Sequence, residues 1–153
     1  MALTNHTQDV SGAEEAHRQR KGFRRVRNAH LTELAEDYVE LIADLIEQTG
    51  EARVVDLAER LGVASATVSV AIRRLQRDGL VTSKPYRSIF LTAKGRAVAA
   101  AARARHQVVR DFLIALGVDP DTADADAEGI EHHVSESTLD AFRKFLAGSR
   151  RLR

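Results

Sequence analysis

The chain has 153 residues, no cysteine and a formal net charge of +1. Without thiols it can hold no disulfide framework, iron–sulfur cluster or cysteine nucleophile, and its length suits one ordinary domain or two small ones, not a large multidomain enzyme. No apolar run approaches the ~18 residues of a membrane helix, and the polar first thirty residues have no signal-peptide core, so a cytoplasmic protein with no membrane partner is expected.

Taken in chain order, residues 1–16 are polar and aperiodic and predict a disordered tail, followed by a basic stretch from Arg18 to Arg27 that suits a helix or a flexible arm. From Leu31 the apolar positions Leu31, Leu34, Tyr38, Leu41, Ile42 and Leu45 follow helical spacing as far as Thr49, and Gly50 supplies the stop. This helix lies in a purely acidic segment: residues 31–51 carry seven acids and no Lys or Arg. Val54 to Arg73 has the pattern of a helix-turn-helix, with Ala58 small at the crossing, Gly62 at the turn, and Val63 and Val68 filling the gap between the helices. Ser65 is the expected N-cap of the second helix, which ends near Asp78 before Gly79. Leu80–Thr82 and Ile89–Leu91 then form two short strands around a turn, the geometry of a wing. Thr92 caps a long helix running to Leu116, and Asp119-Pro120 starts the next. A capping box at Ser137-Thr138-Leu139-Asp140 opens the last helix.

The expected fold is therefore mainly α: an N-terminal winged helix-turn-helix with a two-stranded wing, and a C-terminal helical region. The boundaries expected are a flexible polar and basic arm over 1–30, the winged helix-turn-helix over 31–95, the helical region over 96–147, and a basic tail over 148–153.

Residues 53–96 carry nine bases against three acids, a balance that suits a polyanion. A recognition helix reads base edges in the major groove, and here its outward candidates are Ala64, Ser65, Ala66, Thr67, Ser69, Val70 and Arg73. Most are short, so phosphate contacts and DNA shape are expected to carry much of the specificity. Arg74, Arg77, Lys84 and Arg87 join Arg53 as the phosphate candidates.

A second constellation uses the acids. Asp37 and Glu40 stand at i and i+3 on the first helix, and Glu128, Glu131 and His132 at i, i+3 and i+4 on another. His106 lies on the long helix in register with Ala102, Val109 and Leu113, at or beside its apolar face. Residues 119–140 carry eight acids and again no Lys or Arg, so four carboxylates brought together would repel unless a divalent cation sat among them. Oxygen donors with two imidazoles and no sulfur suit Mn²⁺ best and Fe²⁺ next, and six side chains are enough for two ions per subunit. His133, a residue further on, points away as a supporting or solvent-facing group.

With these residues in place the sequence resembles the diphtheria-toxin-repressor family of metal-dependent repressors over roughly Leu31 to Phe145. The most specific pieces are Glu36-Asp37-Tyr38-Val39-Glu40, Arg105-His106, and Asp126-Ala127-Glu128-Gly129-Ile130-Glu131-His132-His133. The resemblance implies that Asp37, Glu40, His106, Glu128, Glu131 and His132 are the metal ligands, all six matching in type those of the family's manganese-responsive members. In its iron-responsive members sulfur donors occupy the positions of Asp37 and Glu131. It further implies a homodimer that binds a palindromic double-stranded operator and represses manganese uptake genes when the metal is abundant, and no enzymatic activity. The competing readings are an iron-responsive repressor of the same fold, a winged-helix regulator sensing an organic ligand, and a two-metal hydrolase or oxidase.

Overall fold

The structure is a computed structural model that describes residues 6–83 and 87–149, with the side chains of 6–13, 25–29 and 149 left aside. Helix α1 spans His6–Thr49, α2 Val54–Leu61, α3 Ser65–Arg77, α4 Ala93–Ala115, α5 Pro120–Ile130 and α6 Glu136–Ser149, with strands β1 (Val81–Ser83) and β2 (Ile89–Leu91) between α3 and α4. The chain divides into two units, residues 1–34 and 35–153.

The first unit departs from the sequence reading. Helix α1 begins at His6, so most of the stretch expected as a disordered tail is helical. No proline interrupts residues 6–34, and Ala, Glu, Arg, Gln and Lys hold a helix by propensity without needing an apolar face. Glu15 accepts from Arg18 at 2.7 Å and from Gln19 at 3.3 Å, the spacing at which helix neighbours meet. Leu31 and Leu34, expected on a buried stripe, are 39% and 48% exposed.

In the second unit Tyr38, Val39, Ile42 and Leu45 of α1 are buried against Leu57, Ala58, Val68, Ile72, Leu75, Ile89 and Leu91, which makes the winged-helix core. Gly62, at φ 64°, adopts the left-handed conformation that the sharp turn between α2 and α3 needs. Val68 fills the gap between those helices at 0% exposure, whereas Val63, expected to share that task, is 40% exposed. The cap of α3 is also corrected: Ala64 is the extended N-cap residue and Ser65 is the first helical residue, its carbonyl accepting from the Ser69 hydroxyl at 2.8 Å.

The wing strands pair antiparallel with Val81 opposite Leu91, and Ile89 makes a further bridge to Ala52, its N–H reaching the Ala52 carbonyl at 2.7 Å. Thr92 caps α4 by accepting from the Gly95 N–H at 3.0 Å, and its own hydroxyl donates to the Gly79 carbonyl at 2.7 Å. Gly95 is buried because α4 starts directly over the Leu80 carbonyl, where a side chain would collide. Asp119 caps α5 through Thr122 N–H at 3.0 Å. The last helix opens earlier than the expected capping box, at Glu136, with Ser135 accepting from the Thr138 N–H at 3.3 Å.

Helix α4 packs on both α5 and α6. A second, smaller core forms there from Val109, Ala127 and Leu139, flanked by Leu113, Val134 and Phe142. The Phe112 ring stacks on Phe142 with centroids 3.9 Å apart and meets Phe145 edge-on at 5.3 Å. Among the described residues no helix is long and apolar enough to cross a membrane.

Candidate metal centre and nucleic-acid interface

The burial of Tyr38, Val39 and Ile42 fixes the rotation of α1, and with it the direction of the acidic positions beside them, Glu36, Asp37 and Glu40. Val109 and Ala102 do the same for α4, so His106 is carried to the side of α4 that faces α5. Helix α5 ends at Ile130, two residues short of the His132 that the i, i+3, i+4 reading placed on it, and Glu131 is its C-cap. Glu131 keeps right-handed helical torsions (φ −58°, ψ −33°), so the side-chain direction expected of a helical residue survives the change.

Five of the six predicted donors meet as imidazole–carboxylate pairs, and the sixth, Glu40, lies near enough to feel the charges of Glu131, Glu128, Asp37 and His132. His106 Nδ1 lies 3.0 Å from Glu131 Oε2 and 3.5 Å from Glu128 Oε1. His132 Nε2 lies 3.3 Å from Asp37 Oδ1 and 3.7 Å from Glu131 Oε1. Glu131 thus stands between the two rings, and its side chain is only 2% exposed. Its Oε2 is buried with no hydrogen-bond partner, since the approach to His106 lacks hydrogen-bond geometry. His133 is exposed, as expected of a residue outside the cluster.

The electrostatics follow from that crowding. Burial pushes the Glu40 carboxyl up to about 7, helped by the negative charges of Glu131, Glu128 and Asp37 and opposed by His132. Glu131 is raised in the same way, first by burial, against the pull of His106 and His132. His106 is pressed down by its own burial, but the hydrogen bond to Asp124 and the charges of Glu131 and Glu128 outweigh this and raise it.

Two arginines of α4, from the stretch between the basic and the second acidic segment, pair with acids beside the cluster. Arg105 donates to Glu36 Oε2 at 2.6 Å, with both side chains largely buried, and Arg110 reaches Asp124 at 2.9 Å. Sequence spacing singled out neither Glu36 nor Asp124 as members of the site. The first is paired with a residue 69 positions away, beyond any helical periodicity.

Among the described residues no three His, Asp or Glu side chains are already set around a common point as ligands of an ion. The donor chemistry nevertheless fits a hard divalent cation: carboxylate oxygens and imidazole nitrogens without sulfur, a buried carboxylate oxygen lacking a proton donor, and a carboxyl whose charge its neighbours oppose.

The second predicted surface lies on α3 and the wing. Ser65, Ala66, Thr67, Val70, Arg73 and Arg77 are exposed, whereas Ser69 and Arg74 are half-buried, the latter 3.8 Å from Asp78. An open groove of about 1680 Å³ runs between α3 and the strands, lined by Arg53, Ser69, Arg73, Gln76, Arg87 and Phe90 among others. Gln76 donates to the Ser83 carbonyl at 2.8 Å and so ties α3 to β1. Arg87 is exposed, and Lys84 lies outside the described residues.

Two family models match nearly the whole of the chain beyond its first thirty residues: an iron dependent repressor N-terminal DNA binding domain over residues 30–89, and an iron dependent repressor metal binding and dimerisation domain over 92–151. The chain belongs to the iron-dependent repressor family. It is 58% identical over 125 residues to the transcriptional regulator MntR of Escherichia coli O157:H7, covering 82% of this chain and 81% of that one. To the HTH-type transcriptional regulator MntR of Bacillus subtilis (strain 168) it is 40% identical over 105 residues, 69% of this chain and 74% of that. A solved manganese-dependent transcriptional repressor in complex with manganese superposes with a TM-score of 0.66 at 34% identity, over 74% of this chain and 52% of the solved one. The chain thus spans about half the length of that solved repressor. Membership in the iron-dependent repressor family makes the chain a transcriptional regulator with a divalent-metal site and sets the enzymatic reading aside.

Proposed function

We propose that the chain is a manganese-responsive repressor of manganese uptake genes that binds a palindromic operator as a homodimer. The observation that carries this reading is the buried Glu131 carboxylate, flanked by both imidazoles and left with an oxygen that no proton donor satisfies. Asp37, Glu40, His106, Glu128, Glu131 and His132 are the side chains that would hold the ion. A divalent cation supplies the positive charge that four ionised carboxylates around two imidazoles require. Mn²⁺ is the effector favoured by this all-oxygen-and-nitrogen donor set, with room for two ions per subunit, and by the similarity to a solved manganese-dependent repressor.

The DNA-binding side chains are those of α3 and the wing. Ser65, Ala66, Thr67, Ser69 and Val70 are the short side chains that meet base edges, Arg73 is the one long donor able to grip a guanine, and Arg53, Arg74, Arg77, Lys84 and Arg87 contact the backbone. The domain limits at residues 30 and 95 belong to the same reading, with the dimer formed by the helical region after α4 begins.

Operator-binding titrations in Mn²⁺, Fe²⁺, Zn²⁺ and chelator test it. Mn²⁺ should tighten operator binding about 5- to 150-fold over chelator, the span of an ordinary allosteric coupling. Equal affinity in chelator and in saturating Mn²⁺ would overturn the reading, and a stronger response to Fe²⁺ than to Mn²⁺ would assign the site to iron.

A further inference from the structure

We infer that Glu36 is a positioning residue that fixes the tautomer and the aim of the His132 ring, and that Arg105 holds Glu36 in place for that task. The inference rests on the metal-site reading and deepens it, since Glu36 is not one of the six donors.

Glu36 Oε2 accepts two hydrogen bonds, from Arg105 Nη2 at 2.6 Å and from His132 Nδ1 at 3.1 Å. The partners come from three separate parts of the fold: α1, α4 and the turn after α5. All are shielded from water, the Arg105, Glu36 and His132 side chains being 17%, 15% and 4% exposed. A carboxylate can only accept, so the proton of the neutral imidazole sits on Nδ1. Nε2 is then left with its lone pair, directed at Asp37 Oδ1 at 3.3 Å and Glu131 Oε1 at 3.7 Å. Three electron-rich atoms facing one another are the arrangement that a cation requires.

The opposite tautomer would spoil it. A proton on Nε2 would hydrogen-bond to Asp37 and occupy the very direction a metal must approach from, while Nδ1 would turn a lone pair on the Glu36 oxygen. Arg105 makes that outcome costlier, because its 2.6 Å hydrogen bond engages the same carboxylate oxygen and removes the freedom of the carboxylate to swing away. Histidine ligands of metals generally give their second ring N–H to a carboxylate or carbonyl, and loss of such a partner typically lowers metal affinity 10- to 100-fold. His106 receives a similar partner in Asp124, at 3.2 Å from Nε2, but that carboxylate is 60% exposed and competes with water.

The test uses the full chain and Glu36→Gln, with Mn²⁺ binding followed by calorimetry and the ring tautomers read from ¹⁵N spectra of histidine-labelled, metal-free protein at pH 8. Wild-type His132 should give the pattern of a ring protonated at Nδ1. Glu36→Gln should bind Mn²⁺ 10- to 100-fold more weakly and shift His132 toward a mixture of tautomers, with helix content by circular dichroism unchanged. Arg105→Lys, which keeps the charge but loses the guanidinium fork, should show a smaller change of the same kind. A wild-type ring protonated at Nε2 would overturn the inference even if Glu36→Gln fails to fold. So would Mn²⁺ affinity in Glu36→Gln within threefold of wild type. Should the wild-type chain itself bind no Mn²⁺, the metal-site reading fails with it, an outcome distinct from either of these.

Discussion

Glu131 and Glu40 are ionisable groups placed where ionisation is opposed, and the direction of their shifts gives a prediction at the scale of single residues. Glu40 titrates near 4.5 in an unfolded chain and at about 7 in the folded one, so between these values the folded chain holds more protons than the unfolded chain. Stability therefore falls as pH rises through that window, and the raised Glu131 and His106 act in the same sense. The groups shifted the other way, Glu51, Asp119 and Asp124, have been fully ionised in both states by about pH 5.5 and add no opposing slope above it. Metal-free protein should accordingly melt at a higher temperature at pH 5.5 than at pH 7.5, and saturating Mn²⁺ should reverse the order, because ligation requires the ionised carboxylates. A metal-free melting temperature higher at pH 7.5 would contradict the burial of these carboxyls. The donors themselves were legible in the sequence because i, i+3 and i+4 spacings on helices bring side chains to one side. Glu36 and Arg105 stood there only inside the shared motifs, with no role, and Asp124 and Arg110 not at all, since each reaches its partner across the tertiary fold.

Stops and starts of the elements were the clearest part of the sequence, for a local reason: Gly62 and Gly117 take positive φ, and Thr92 and Asp119 accept from the N–H groups three residues on, all within one turn of chain. The errors fell where a tertiary contact or a competing cap decided. Ser65 lost its capping role to the extended Ala64, Ser135 took over from Ser137, and α1 ran on to His6 because only the absence of helix breakers, and no apolar pattern, marks residues 6–16. Gly95 shows what local reading misses altogether. Its sequence neighbours call for an ordinary helical residue, yet a Cβ there would run into the Leu80 carbonyl oxygen and press on Leu91 Cδ2. Gly95→Ala should therefore destabilise by about 1 to 3 kcal/mol despite the better helix propensity of alanine, the cost of forcing α4 off the wing. Thermal unfolding would show a fall of several degrees. An unchanged or raised melting temperature would mean that α4 does not start against the Leu80 carbonyl.

At the scale of residues 35–153, two helices link the two kinds of site. Helix α1 contributes Asp37 and Glu40 to the carboxylate cluster and Val39, Ile42 and Leu45 to the winged-helix core, while α4 contributes Ala99 to that core, His106 to the cluster and Val109 to the C-terminal core. Arg103 of α4 pairs with Asp44 and, at 2.9 Å, with Glu47 of α1, so the helices are also tied beside the winged-helix core. Any ion that draws the α1 carboxylates toward His106 and Glu131 acts on the same two rods that seat α3. A free energy coupling built in this way works in both directions. If Mn²⁺ tightens operator binding by a given factor, operator DNA must tighten Mn²⁺ binding by that factor, whatever the path between the sites. Calorimetric Mn²⁺ titrations of the free protein and of the protein saturated with a palindromic operator duplex measure it, at one ionic strength because phosphate contacts make the DNA step salt-dependent. The expected increase in Mn²⁺ affinity is about 5- to 150-fold and should match the factor found from the DNA side. With protein concentration matched so that both titrations compare the same assembly, Mn²⁺ binding that is the same on and off the operator would rule out coupling through α1 and α4.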